Sequence, residues 1–464
     1  MARVLVALGA ALLLSLVAAI VGIATISLGH HASSPLPAEL HGRREMRLTG
    51  AGELRAGAAR VELAVPSHGP IAGYPAWRRD DGSGEPIFVR ALFLEQGELH
   101  AVLLSLPLLL VPGELEEEIV RRAALGTETC LLVAATHTHS GPGGTWNNPL
   151  VALGGNGLFD PLRADAVAQA AEDAIALARK RLVPAHLSAG VESWTAGPAV
   201  PRSGLIDPAL GAARFLDGDG RALASLLIYG MHATVIPRSA HGLDGDWPEA
   251  AAASLEQASD GAPALVLQGA GGNATFMRSG LPDDPRQAAH QLGARVAAEA
   301  SRLLSGAPLF PADAPLGCST HLAALPEPRA GLALFKPVRR AAGNLLRLFA
   351  ERAALESGLE LPGLSLQGVP GEPSGELGQS FRRARGERAM LVGLADGYAG
   401  YVESAARWLR GEGESSRTWH GPELAAALGI EPAAAPAQEA AGARGAAGAS
   451  GPAGARTPLL NGIQ

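Results

Sequence analysis

The residues of this chain best suited to chemistry are two imidazoles, His137 and His139, in the run Thr136-His137-Thr138-His139-Ser140-Gly141-Pro142-Gly143-Gly144. Imidazole binds borderline divalent metals and carries protons near neutral pH. The run follows an apolar stretch, Cys130–Ala135, that reads as a buried strand. Side chains two residues apart at a strand end project in the same general direction. The Ser-Gly-Pro-Gly-Gly that follows turns the backbone sharply and leaves room for a ligand to approach. Many His-x-His pairs bind nothing. This one gains weight from its place at a strand-to-loop switch, where α/β folds gather their sites.

Other polar residues also stand just beyond apolar runs. His232 follows Leu223–Met231. Asn273 and Thr275 follow Ala264–Gln268, and Tyr398 and Tyr401 follow Met390–Leu394. Glu372 lies within Pro370-Gly371-Glu372-Pro373, where turn residues fix a carboxylate on a tight loop. If the runs are neighbouring strands of one sheet, their carboxyl ends converge on one crevice. Two or three His with a carboxylate suit a catalytic Zn²⁺ that keeps one position open for water. Taken singly, His232, Glu372 and Tyr401 read first as structural or solvated side chains.

The elements that must position these groups follow from periodicity. Arg90–Glu95 and His100–Leu106 read as paired strands across Gln96-Gly97. Helical spacing spans Gly113–Leu125, Pro161–Leu182 and Pro285–Leu304. Strands alternating with helices predict an α/β domain with a mixed central β-sheet flanked by helices. Pro337–Leu355 sets Arg339, Arg340, Arg347 and Arg352 beside Leu345, Leu346, Leu348 and Phe349. It reads as a basic amphipathic helix, either docked on the core or lying on a membrane surface.

A chain of 464 residues allows one large domain or two ordinary ones. Its net charge of -7 argues against a nucleic-acid partner, which needs a basic face. With 4% aromatic residues, the core must rely on Leu, Val and Ala. Cys130 reads as a small core residue; with Cys318 as its one companion, no disulfide framework is implied and the redox compartment stays open. No protein partner can be inferred.

After Arg3, the 25 residues from Val4 to Leu28 carry no charge. That length exceeds the roughly 20 apolar residues needed to span a hydrocarbon core. It also exceeds the about 7–15 of a cleavable signal. An uncleaved signal anchor is therefore favoured over a signal peptide, and either exports the rest to the cell envelope or beyond. The expected organisation is an anchor or signal at 1–29, a polar linker at 30–52, a catalytic domain at 53–430 and a tail at 431–464. The tail is rich in Ala, Gly and Pro and cannot bury a core.

Thr136–Gly144 closely resembles the signature of the neutral/alkaline, non-lysosomal ceramidases, which are zinc-dependent amidases. Further elements resemble that family in order: Leu54–Ala76 with Gly73-Tyr74, Arg202-Ser203, the series His232, His241, Asp246, then Gly272-Asn-Ala-Thr275. Pro370-Gly371-Glu372, Gly393-Leu394 with Tyr398-x-x-Tyr401, and Gly421-Pro422 follow. The resemblance implies Zn²⁺ held by His137, His232, Glu372 and Tyr401. It implies His139 as the proton-transfer group and Arg202 orienting the scissile amide or a substrate hydroxyl. Thr275 would stand in place of the family's active-site Ser. The implied substrate is ceramide or a related N-acyl lipid, met at a membrane surface. The resemblance lapses at Arg410–Glu414, where the family carries a second site Tyr, and at Ser105-Leu106-Pro107, where an Asp often stands. It ends near residue 425 without the immunoglobulin-like domain of larger members, as in a bacterial-type member. Two other readings stay open: a zinc hydrolase of another amide or ester, and a catalytically inactive lipid-binding relative.

Overall fold

A computed structural model describes residues 45–74, 78–329, 346–347 and 349–431. The N-terminal part gives β1 (Glu45–Thr49), β2 (Arg55–Glu62), β3 (Phe88–Gln96), β4 (Leu99–Leu106), helix α1 (Gly113–Arg122) and β5 (Thr129–Ala135). Helix α2 (Pro161–Lys180) leads to β6 (Val183–Pro184), β7 (His186–Ser193), β8 (Ala199–Pro201), β9 (Ala209–Leu216) and β10 (Ala222–Tyr229). Helix α3 (Asp246–Gln257), β11 (Ala264–Gln268), β12 (Ala274–Phe276), helix α4 (Pro285–Gly306) and β13 (Leu309–Phe310) follow. The C-terminal part holds β14 (Gly317–Ala324), β15 (Ala353–Leu361), β16 (Leu364–Val369), β17 (Glu372–Pro373), helix α5 (Gly375–Arg385), β18 (Ala389–Gly393) and β19 (Tyr401–Val402).

The fold is mixed α/β, but the expected single central sheet is replaced by three five-stranded sheets. Their orders are β5-β4-β3-β2-β6, β11-β10-β9-β7-β13 and β1-β14-β15-β16-β18. Alternation identifies strands; it does not say which of them share a ladder, and that is why the sequence suggests one sheet. Each sheet has one parallel pair among antiparallel ones: β4–β5, β10–β11 and β16–β18. Each pair lies at a sheet edge, and β5, β11 and β18 are buried throughout. Covered on both faces, these strands read as unbroken apolar runs. Burying each Leu or Val of β5 contributes about 1.5–3 kcal/mol.

Polar side chains stitch the three edges together. Ser105 Oγ donates to Val266 O at 2.7 Å, and Gln268 Nε2 donates to Thr136 O at 2.8 Å. Asp396, just past β18, accepts from the backbone N–H of Val133 at 3.0 Å and of Ser357 at 3.1 Å. These bonds satisfy buried backbone groups and fix the carboxyl ends of β5, β11 and β18 relative to one another.

Helices α2 and α4 begin as their sequences dictate. Each has Pro at its first position, and Asp160 and Asp284 accept from Leu162 N and Gln287 N.

Three further expectations are corrected. Cys130 and Cys318 form a disulfide that joins β5 to β14 across 188 residues, with Cα atoms 6.3 Å apart. Only the packing of two sheets brings them together, so sequence spacing gave no sign of it. Glu45–Thr49, within the expected linker, forms β1 and pairs with β14. The predicted helix Pro337–Leu355 fails at its end, where Ala353–Leu355 open β15; residues 330–345 and 348 lie outside the described residues. The apolar segment Val4–Leu28 and residues 432–464 of the tail also lie outside them. No helix among the described residues is long and apolar enough to cross a membrane.

Candidate metal centre

The three parallel edges deliver the site. His137 and His139 follow β5, His232 follows β10, Glu372 follows β16, and Tyr398 and Tyr401 follow β18. The expected convergence therefore occurs at strand ends from three different sheets.

The loop after β5 is held before it turns. Thr138 Oγ1 donates to Asp244 O at 2.6 Å and accepts from Ser140 N at 3.1 Å. His139 N donates to Ala233 O at 3.1 Å, which locks this loop to the one carrying His232. Arg78 donates from below to His139 O, and to Ala72 O at 2.6 Å. Gly73 passes so close that a Cβ there would lie 2.3 Å from His139 Cα, at a φ of +106° that side chains rarely adopt. His137 itself has a φ of +63°, an uncommon conformation for a non-glycine residue, and functional sites hold such strain.

His137 Nδ1 lies 2.8 Å from Leu109 O, and His232 Nδ1 lies 3.0 Å from Gly271 O. A carbonyl can only accept, so each Nδ1 carries the proton. In the neutral ring, each Nε2 is then a bare lone pair pointing inward. Both Nε2 atoms lie 3.2 Å from Glu372 Oε2. His139 Nε2 is 3.4 Å from His137 Nε2, and the three imidazoles offer ligand atoms within 4.8 Å of one another.

Glu372 sits on β17, whose parallel partner β19 sets Glu372 opposite Tyr401. Tyr398 donates its phenol to Glu372 Oε1 at 2.8 Å. The other oxygen, Oε2, is buried and has no hydrogen-bond donor among the described residues. Tyr401 OH lies 3.3 Å from His232 Nε2. Arg202 Nη2 reaches Gly272 O, His232 Nε2 at 3.3 Å, Tyr401 OH at 3.4 Å and Glu414 Oε1 at 3.5 Å.

Burial pushes His232 down to about 4, against the pull of Glu372. Burial, then His137 and His232, holds His139 well below the usual histidine range. Burial alone would raise Glu372; the neighbouring His137 and His232 outweigh it and hold the carboxyl well below its ordinary value. With its Nδ1–H on a carbonyl, a neutral His232 turns the lone pair of Nε2 toward Glu372 Oε2 at 3.2 Å, with the Arg202 guanidinium 3.3 Å from the same nitrogen. Two buried acceptors this close call for positive charge or a proton beside them, and a metal ion at the centre of the cluster would supply it. The donor set of imidazole nitrogens, carboxylate and phenol, with both Nδ1–H groups anchored on carbonyls, fits Zn²⁺ or a similar borderline ion. His137, His232 and Glu372 form a closed, buried side, whereas His139, Tyr401 and Arg202 leave the opposite side open.

All four expected ligand residues and His139 therefore meet, together with Arg202. Thr275 lies half-buried on β12 opposite Val200, and no hydrogen bond among the described residues joins its hydroxyl to the cluster. His241 is exposed, with Nδ1 3.4 Å from Arg79 O, and Asp246 is buried and accepts from Ile236 N and Trp247 N. Sequence reasoning assigned no role to Tyr398 and missed Glu414. Tyr398 stands in the visible Tyr-x-x-Tyr, but Glu414 is buried in a charged run that reads as a solvated loop.

No protein-family model and no curated protein matches this chain. Its fold is that of neutral ceramidase. The crystal structure of neutral ceramidase from Pseudomonas aeruginosa superposes with a TM-score of 0.70 at 17% identity, covering 82% of this chain and 73% of that one. A ceramidase complexed with C2 gives a TM-score of 0.68 at 18% identity, covering 81% and 73%.

Proposed function

We propose that this chain, which shares its fold with neutral ceramidase, is a zinc-dependent hydrolase of the amide bond in ceramide or a related N-acyl lipid. The observation that carries the reading is the buried face-off of His232 Nε2 and Glu372 Oε2 at 3.2 Å, with His137 Nε2 at the same distance. His137, His232, Glu372 and Tyr401 are the proposed ligands. Bound Zn²⁺ supplies Lewis acidity and lowers the pKa of water toward about 7.

The chain's own residues do the rest. His139 is unprotonated, partly open and beside the ligands, so it accepts a proton from the attacking water and returns it to the leaving amine. Arg202 offers a fixed guanidinium on the open side, where it orients the scissile carbonyl or a substrate hydroxyl. Tyr398 holds Glu372 by one oxygen and leaves the other free. Thr275 is the proposed counterpart of a site Ser. Export to the cell envelope, anchored or secreted, is part of the proposal; the buried disulfide supports an oxidising compartment.

Protein stripped of metal and reloaded with Zn²⁺ is expected to hydrolyse a fluorescent N-acyl sphingosine. One observation favours a second reading, a zinc hydrolase of another amide or ester. In the stretch where the family carries a Tyr, Glu414 instead pairs with Arg202, which makes the open side more polar. A panel of N-acyl lipids, soluble amides and esters separates the two, and no turnover of any member overturns both.

Tyr398→Phe tests the support of the ligand set. Loss of a hydrogen bond to a ligating carboxylate weakens metal binding about 10–100-fold. Competition with a chelator is expected to read a rise in zinc Kd near the low end of that range. An unchanged Kd would remove the role given to this phenol.

A further inference from the structure

We propose that the segment from Leu153 to Leu162 is a docking surface for a lipid membrane. This deepens the lipid-amide reading and rests on it for its purpose, though not for its test. Leu153, Leu158, Phe159 and Leu162 are 63%, 64%, 41% and 66% exposed. Four of the ten large apolar side chains exposed among the described residues thus fall within ten consecutive positions. Scattered exposed apolar residues are ordinary, whereas a cluster marks a surface meant to be covered.

The cluster borders a cavity of about 350 Å³, lined in part by Leu153, Leu158, Phe159, Tyr74 and Arg79. Tyr74 connects this cavity to the metal centre: its ring lies 5.2 Å from that of His139. Charge favours a phospholipid surface over a second copy of this chain, because a two-fold pairing of this face would bring two uncompensated Arg79 cations together. Arg79 is exposed on the cavity rim and has no carboxylate partner among the described residues; its guanidinium donates to His68 O at 2.8 Å. The one carboxylate lining the cavity, Asp160, is engaged in capping α2. Apolar side chains beside a free cation match acyl chains beneath a phosphate layer.

The test places a polarity-sensitive nitrobenzoxadiazole probe on the full-length protein at Leu158→Cys, and in a second sample at Leu177→Cys. Leu177 lies fifteen residues beyond Leu162 on α2, about 22 Å along the helix axis. Phosphatidylcholine vesicles, with or without phosphatidylglycerol, are added to each. The expected result is a blue-shifted emission at position 158, quenched by spin-labelled lipid, with position 177 remaining water-like. Arg79→Gln is expected to weaken the response about fivefold on the anionic vesicles and to leave it unchanged on the neutral ones. A water-like probe at 158 on both vesicles overturns the proposal. So does a shift that appears without vesicles and grows with protein concentration, which would make the occupant a second copy. None of these readouts requires turnover, so an inactive protein would sink the hydrolase reading and leave this one standing or falling by itself.

Discussion

His137→Ala is expected to strip the protein of its zinc and its hydrolytic activity together, whereas His139→Ala keeps the zinc and loses rate. The difference follows from the anchoring of the rings. His137 Nδ1 is held on Leu109 O at 2.8 Å, so its Nε2 faces Glu372 Oε2 at 3.2 Å and has no other task. Removing it leaves His232 as the one imidazole of the proposed ligand set and takes away the nitrogen 3.2 Å from Glu372 Oε2, so the ion is held far more weakly. His139 is held differently: its Nδ1 has the Gly73 backbone beside it but no close bond to a carbonyl like that of His137, and its Nε2 stands 3.4 Å from His137 Nε2. Loss of a proton-transfer group costs about 10²–10⁴-fold in turnover without touching the ligands. Zinc stoichiometry and turnover, measured on both variants and on the parent, separate the roles. Full zinc and full rate in both would end the assignment. Zinc lost equally from both would make His139 a third imidazole ligand, in line with the 4.8 Å cluster of the three rings.

The site was legible to the extent that it follows apolar runs. β5, β10, β11 and β18 are buried edge or near-edge strands, so each appears in the sequence as a short unbroken hydrophobic stretch, and the polar residue after it stands out. His137, His139 and His232 are visible in that way, and Tyr398 and Tyr401 as a pair. The number of sheets was not legible, because strand pairing depends on ladders between residues far apart in sequence. β1 was missed for a related reason: a five-residue strand with Glu45 and Arg47 in it gains its place only by pairing with β14. Glu414 was hidden because the Arg410–Glu414 run has the composition of a solvated loop, and only its approach to Arg202 gives it a function. Turn residues made Glu372 visible as a candidate carboxylate, and the ordered resemblance to a known family then named it beside His137, His232 and Tyr401.

The disulfide gives the second large effect. Cys130→Ala/Cys318→Ala is expected to destabilise the protein by up to about 5 kcal/mol, since cross-linking a loop of 188 residues removes that order of entropy from the unfolded chain. The effect should also be local. Cys130 lies on β5, seven residues before His137, and Cys318 lies on β14, between β1 and β15 in another sheet. The bond therefore fixes the strand that leads into both imidazoles to the sheet whose strand β16 leads into Glu372. Both sulfurs are buried, so alanine also leaves small cavities, and the variant alone would mix two causes. Urea denaturation of the parent with and without reductant isolates the cross-link, because reduction keeps both sulfurs in place. A midpoint that falls on reduction, with the alanine variant falling slightly further, is the expected pattern. A midpoint indifferent to reductant would show that the sheets hold β5 without the bond, and the argument for an oxidising compartment would lose its structural support.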